Sequence, residues 1–164
     1  MKKLVLLAAT VVLAAFTACG DYEKDNTTNA SSGNESGAAA GGGDASSYDP
    51  KRGEGKWTAE NINLSPGLDQ AKATEGEKIS NTKCLSCHKI SDEKLVGPGW
   101  AGVTQRRSAE WIMNFITNPD PMLDKDPEAQ AMLEICLVRM PNQNLSDDEA
   151  RNILEYMRKI DGVK

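Results

Sequence analysis

The sequence predicts an all-α domain over residues 72–164, preceded by an export signal and a flexible tether. Three observations support this fold class. Helix-capping motifs recur from residue 72 onward, each followed by apolar residues at helical spacing. No stretch alternates between apolar and polar residues as a half-buried strand would. Residues 20–56 contain no Leu, Ile, Val, Phe, Met or Trp, so they cannot form a core of their own.

The charge balance and the residue counts exclude some kinds of protein and of binding site. The 164-residue chain carries 24 acidic and 19 basic side chains, a formal net charge of −5. That balance excludes ordinary nucleic-acid binding, which needs a basic surface. The single histidine, His88, excludes any site that takes two histidines from one chain. Residues 72–164 include only 19 Leu, Ile, Val or Phe, fewer than usual unless the domain folds around a large apolar cofactor.

Residues 1–18 are typical of an export signal. Two lysines precede a 13-residue apolar run over residues 4–16, which is too short to span a membrane. The run ends in Thr-Ala-Cys-Gly at residues 17–20, which resembles the lipobox of bacterial lipoproteins. That resemblance implies lipidation of Cys19, and an ordinary secretory signal is the alternative. We therefore expect a lipid-anchored protein on the periplasmic side of the cell envelope.

Residues 19–56 are predicted to be the lipidated cysteine and a disordered linker. Their Asn, Ser, Thr, Gly and Asp side chains cannot offset the entropy lost on ordering. The linker would either let an anchored domain reach its partners or act only as a spacer. Apolar residues return at Trp57, Ile62, Leu64 and Leu68. Residues 57–71 are therefore predicted to be an arm that packs on the domain of residues 72–164.

Four helices are predicted within that domain. Each begins at a side chain suited to accept hydrogen bonds from the free amides of a first helical turn. These capping residues are Thr74, Ser108, Asp126 and Ser146. The second helix is predicted to end at Asn118-Pro119, since proline disfavours helix at the residue before it.

The motif that carries chemistry is Cys84-Leu85-Ser86-Cys87-His88, because C-x-x-C-H is the attachment signature of c-type haem. Two thiols three residues apart reach the two vinyl groups on one porphyrin edge, and the adjacent histidine turns under the iron. A thioredoxin-like motif would need a βαβ context, which is absent. A zinc site formed by Cys84, Cys87, His88 and Cys136 is a further alternative. The export signal favours haem.

From about residue 76 to 160 the chain resembles the class I monohaem cytochromes c. The motifs that carry the resemblance are the haem motif, Gly97-Pro98-Gly99-Trp100, and Met140-Pro141 ahead of the last capping box. The resemblance implies a helical domain wrapped around one covalent haem c. It also implies that the Pro98 carbonyl accepts the Nδ1 proton of His88, that Trp100 belongs to the cofactor site, and that Met140 is the sixth iron ligand.

Elimination supports the same sixth ligand. Without a second histidine, the candidates are methionine, lysine, water or nothing. Met113, Met132 and Met157 lie on predicted helix faces and are interpreted as core residues. Met122, in a predicted loop, is the rival to Met140. Methionine ligation leaves no open coordination position and raises the potential above that of bis-histidine haem, which favours electron transfer over catalysis.

Two features leave alternatives open. Cys136 has no predicted intramolecular partner and is interpreted as a buried core thiol, with an intermolecular disulfide as the alternative. Lys83, Lys89 and Arg139 flank the haem and methionine motifs. They would either form a basic rim that meets an acidic redox partner or be ordinary surface charges.

Together these features predict a monomeric, membrane-tethered periplasmic electron carrier that is not an enzyme. A haem-based gas sensor and a cytochrome subunit of a larger respiratory enzyme are the alternatives. Residues 97–104 and 140–145 resemble cytochromes of Bacteroidetes denitrification and respiratory clusters. That resemblance implies a respiratory partner, either nitrous oxide reductase or a terminal oxidase.

Overall fold

The computed structural model describes residues 48–164, so the predicted export signal, Cys19 and most of the predicted linker lie outside the described residues. Within this range every regular element is an α-helix, and the predicted all-α class is confirmed. The helices are α1 (Ala59–Ile62), α2 (Gln70–Lys83), α3 (Val103–Arg106), α4 (Ala109–Thr117), α5 (Pro119–Lys125), α6 (Pro127–Cys136) and α7 (Asp147–Ile160).

Three of the four predicted helix starts are confirmed. Ser108, Asp126 and Ser146 each accept a hydrogen bond from the backbone amide three residues further on, and these bonds begin α4, α6 and α7. The second predicted helix ends at Thr117 with Asn118 as its cap, as predicted, and Pro119 then begins the short α5. Helices α1, α3 and α5 were not predicted, because four to seven residues are too few to show helical periodicity. No helix in residues 48–164 is both long and apolar enough to cross a membrane.

The helix start predicted at Thr74 is wrong. Helix α2 begins one turn earlier, because the Asp69 carboxylate accepts a hydrogen bond from the Lys72 amide and caps the helix there. Thr74 lies inside the helix, where its hydroxyl donates to the Gln70 carbonyl. The helix thus begins at an aspartate in a stretch without helical periodicity, five residues before the capping box that the sequence suggested.

Helices α2 and α7 pack against each other with their backbones in close contact. Ala73, Gly76 and Ser80 form the buried face of α2. A Cβ atom added at Gly76 would strike the carbonyl group of Asn152 in α7. Small side chains therefore set this crossing. The crossing also fixes the end of α2, which leads directly into Cys84.

Residues 48–56, predicted to be part of the disordered linker, instead pack on the domain. The Tyr48 hydroxyl donates to the buried carboxylate of Asp126. The Glu54 amide donates to the Met122 sulfur at 3.0 Å, and Gly53 has a positive φ against the same side chain. Disorder was predicted because residues 48–56 lack large apolar side chains, but the contacts that hold them are made by polar groups and backbone.

The arm of residues 57–71 packs through two buried polar anchors. Asn114 of α4 is 1% exposed, and its side-chain amide bonds both the amide and the carbonyl of Trp57. The Arg158 guanidinium of α7 donates to the carbonyls of residues 65, 66 and 67. Two salt-bridge hydrogen bonds from Arg158 also reach the fully buried Glu155. Trp57 and Ile62 are buried in the core.

Candidate haem site

The haem motif forms a tight turn at the end of α2. The amides of Cys87 and His88 both donate to the Cys84 carbonyl at 3.0 Å. The Cys87 carbonyl in turn accepts hydrogen bonds from the amides of Val96 and Gly97. Backbone bonding within the motif and to its following loop thus sets the positions of all three predicted haem-binding side chains. Burial raises the pKa of the Cys84 thiol to about 11, so that thiol is neutral at physiological pH.

His88 is held in the form that binds iron. Its Nδ1 atom lies 2.8 Å from the Pro98 carbonyl oxygen, the contact that the sequence resemblance implied. Because a carbonyl can only accept, Nδ1 carries the proton and Nε2 keeps its lone pair. Burial lowers the pKa of His88 below 6.5, against the opposing effect of the Pro98 bond. The imidazole is therefore neutral at neutral pH, with Nε2 available to a metal.

The loop that carries Pro98 requires both of its glycines. A Cβ added at Gly97 would meet the His88 ring, 2.8 Å from Nδ1 and 2.9 Å from Nε2. One added at Gly99 would lie 2.6 Å from the backbone carbon of Asp92. Trp100 follows with 5% of its surface exposed, and its ring centre lies 5.7 Å from that of His88. The structure thus places Pro98 and Trp100 against the proximal histidine.

Two adjoining clefts open onto this motif. Cys87 borders the first cleft and Cys84 the second, whereas His88 and Met140 border both. The walls are mainly apolar and include Trp111, Ile112, Phe115, Met132 and Leu145. Among the donors that border the clefts, Cys84, Cys87, His88 and Met140 supply the two thiols, the imidazole and the thioether that haem c requires.

Sequence reasoning missed most of the cleft wall. Trp111, Ile112 and Phe115 recur on one face of α4 and look like ordinary core positions. In the structure the same face borders the second cleft. Periodicity identifies an apolar face, but it does not distinguish contact with protein from contact with a cofactor. Arg106 and Arg107 also border this cleft and were not singled out.

The structure separates the candidate methionine ligands. Met122 is fully buried, accepts the Glu54 amide and borders neither cleft. Met140 follows α6 and borders both clefts, as does Met132 within α6. The geometry therefore favours Met140 over Met122, and it moves Met132 from the predicted core to the cleft wall.

The zinc alternative has no geometric support. Among residues 48–164, no three His, Cys, Asp or Glu side chains converge closely enough to hold a metal ion. Cys136, interpreted from the sequence as a buried core thiol, is only half-buried and borders the first cleft. Within residues 48–164, Cys136 forms no disulfide bond.

The three cations of the hypothetical basic rim are all paired within the chain. Lys83 contacts Glu149 at 2.8 Å, and Lys89 contacts Glu93 at 2.6 Å. Arg139 lies 3.3 Å and 3.0 Å from two carboxylates of α5, at residues 120 and 124. Each pair is partly exposed and so is held weakly. The surface around the site is thus closer to charge neutrality than the sequence suggested.

A family model, a sequence relative and solved structures all relate this chain to cytochromes c. Residues 73–161 match the cytochrome c family. A cytochrome c-553-like protein of Synechocystis is 31% identical over 81 residues, which cover 44% of this chain and 77% of that protein. The solved cytochrome c from Rhodothermus marinus is 34% identical, with a TM-score of 0.61 over 68% of this chain and 92% of that one. An engineered form of that protein is 33% identical, with a TM-score of 0.61 over 69% and 98%.

Proposed function

The chain belongs to the cytochrome c family, and on that premise we propose that it is a membrane-tethered periplasmic carrier of single electrons. Family membership implies a covalently bound haem c and electron transfer through it. The chain is accordingly an electron carrier and not an enzyme. The proposal adds one haem per chain, a lipid anchor at Cys19 and a respiratory partner.

One observation carries the assignment of the site: His88 and Met140 border both clefts, while Cys87 borders one and Cys84 the other. The two cysteines would hold the haem by thioether bonds, and His88 Nε2 and the Met140 sulfur would ligate its iron. Haem supplies reversible one-electron chemistry when bound. The chain's part is to fix both ligands, exclude water and raise the potential through the thioether.

The tether and the location rest on the sequence alone. An export signal, the lipobox-like residues 17–20 and a polar segment together favour a domain held near a periplasmic membrane surface. Such confinement raises the concentration of the domain near membrane-bound partners. Nitrous oxide reductase or a terminal oxidase is the proposed electron acceptor, on the resemblance of residues 97–104 and 140–145 to cytochromes of denitrification and respiratory clusters.

The test uses the purified holoprotein and three methionine variants. Acid–acetone treatment should leave the haem on the wild-type chain, at one haem per chain. Met140→Ala should abolish the near-infrared sulfur-to-iron charge-transfer band and lower the reduction potential. Met122→Leu and Met132→Leu are the matched controls and should keep the band. Extractable haem would contradict covalent attachment, and loss of the band in Met132→Leu alone would move the ligand to α6.

The same preparation tests the gas-sensor alternative. A ferrous haem with both axial positions filled binds carbon monoxide slowly at neutral pH. Rapid binding to the wild type, together with no electron exchange with respiratory proteins, would overturn the carrier function.

A further inference from the structure

Five large apolar side chains form an exposed surface beside the first cleft, called here the apolar rim: Leu95, Val96, Ile135, Leu137 and Val138. Their exposed fractions run from 40% for Val96 to 83% for Leu137. Val96 and Val138 both line the first cleft, and the Lys94 ammonium donates a 3.2 Å hydrogen bond to the Ile135 carbonyl. The loop of residues 94–96 and the end of α6 therefore lie side by side and present one surface.

Three of the five side chains lie outside the clefts. Leu95, Ile135 and Leu137 border neither cleft, so their exposure does not depend on what fills the clefts, whereas Val96 and Val138 lie at the edge of the first cleft. Only two other large apolar side chains within residues 48–164 are exposed, Leu64 and Ile90. Isolated apolar residues are normal on protein surfaces, whereas a contiguous group marks an interaction site.

Leu137 has a backbone conformation that is unusual for leucine. It caps α6 with a φ of 60°, in the left-handed region where glycine or asparagine is usual. It is also the most exposed member of the rim. Neither burial nor backbone preference accounts for a leucine at this position. A contact with another molecule does, since disfavoured conformations persist where they serve a function.

The charges around the rim compensate one another. Arg139 pairs with Asp120 and Asp124, and Lys89 pairs with Glu93. A surface that binds an acidic protein or anionic lipid presents clustered cations that are free to pair with it. The paired cations beside this rim do not provide such a cluster, so the attraction it offers is mainly apolar.

Resting on the carrier function proposed above, we infer that the apolar rim is the docking surface for an uncharged apolar patch on a redox partner protein. A partner without charge at this place loses the least hydration energy on contact. Lys94, which bonds the Ile135 carbonyl, and Glu134, which precedes Ile135 in the chain, carry opposite charges. Five side chains fall well short of the about 20–30 residues per side of a stable interface. The rim therefore fits a transient electron-transfer encounter rather than a permanent dimer of this chain.

The test measures electron exchange of the mature holoprotein at gold electrodes that carry methyl-, carboxylate- or ammonium-terminated monolayers. Exchange should be fastest on the methyl surface and should vary by less than about twofold across a salt series. The double variant Ile135→Gln, Leu137→Asn should exchange about tenfold more slowly there, with an unchanged reduction potential. Asparagine tolerates the left-handed backbone at residue 137. Leu64→Asn, an exposed leucine that borders neither cleft, is the matched control and should behave as wild type.

Three results would contradict the proposal that the apolar rim is a docking surface. The first is fastest exchange on a charged monolayer, and the second is an equal exchange rate for the double variant and the wild type. The third is that the wild type dimerises or binds phosphatidylcholine vesicles and that the double variant does neither. The last would assign the rim to a second copy or to a membrane. Failure of the wild type to accept electrons from ascorbate or from any electrode contradicts the carrier function itself. Normal ascorbate reduction with unaffected variants contradicts the rim alone.

Discussion

The crossing of α2 and α7 should tolerate no side chain at Gly76. In Gly76→Ala, the added Cβ would lie 2.5 Å from the backbone carbon of Asn152 and 3.0 Å from the amide nitrogen of Ile153. The Asn152 carbonyl oxygen would lie closer still, and ordinary contact begins at 3.4 Å, so the two helices must separate by more than an ångström. None of these obstructing atoms belongs to a side chain that could rotate away. The separation must therefore be spread over both helices and the core between them.

The expected cost follows from two opposing effects. Overpacking of this kind destabilises by about 1–3 kcal/mol, and obstruction by backbone places the cost at the upper end. Alanine regains about 0.8–1.0 kcal/mol of helix propensity over glycine. The net loss is about 2 kcal/mol, which corresponds to a fall in melting temperature of roughly 6–10 °C for a domain of this size.

Thermal unfolding of the holoprotein, followed by far-ultraviolet circular dichroism, measures this loss. Gly67→Ala is the matched control, because the nearest atom to its added Cβ is a carbonyl oxygen at 3.6 Å. That variant should unfold within a few degrees of the wild type. Equal or greater stability of Gly76→Ala would mean that helix propensity dominates, and it would refute the close backbone contact inferred at this crossing.

Three further predictions concern the site, its charges and its anchor. Gly97→Ala should displace the His88 ring from its carbonyl partner and raise the reduction potential by up to about 60 mV, since the lost bond makes the imidazole a weaker donor; an unchanged potential would contradict this. The hydrogen bond from Lys83 lowers the pKa of Glu149 below 4.5, so the ionised carboxylate stabilises the fold at neutral pH and this contribution is lost as the pH falls through the lowered pKa. Glu149→Gln should therefore melt below the wild type at neutral pH, and the difference should shrink as the pH falls through that lowered pKa, as differential scanning calorimetry would show. Cys19→Ser should leave the haem spectrum intact and move the protein from the membrane to the soluble fraction, and its retention in the membrane pellet would refute the lipid anchor.

The haem motif shows why much of the site is readable from sequence. Cys84, Cys87 and His88 act within a single turn, so their spacing alone defines which chemistry they can perform. The helix caps at Ser108, Asp126 and Ser146 are local in the same sense, because each side chain bonds an amide three residues away. Such contacts can be predicted without knowledge of the rest of the fold.

The surface charges near the haem motif are not predictable from the sequence in this way. Lys83, Lys89 and Arg139 look like free cations in the sequence, yet each meets a carboxylate in the fold. The partner of Lys89 is four residues away, but the others come from 15 or more residues along the chain. Side-chain type gives the charge of a residue, whereas only its neighbours in space determine whether that charge is available.

The sequence by itself therefore determined the all-α class, the family and the cysteine–histidine attachment motif, since these depend on contacts within about one helical turn. Only the folded chain separates the two rival methionines, because Met122 packs against residues 53–54 whereas Met140, like Met132, borders both clefts. It also decided that residues 48–56 pack on the domain and that α4 lines the site. The physical reason is the same in each case: these outcomes depend on contacts between segments far apart in the chain, whose formation the local pattern of side chains does not encode.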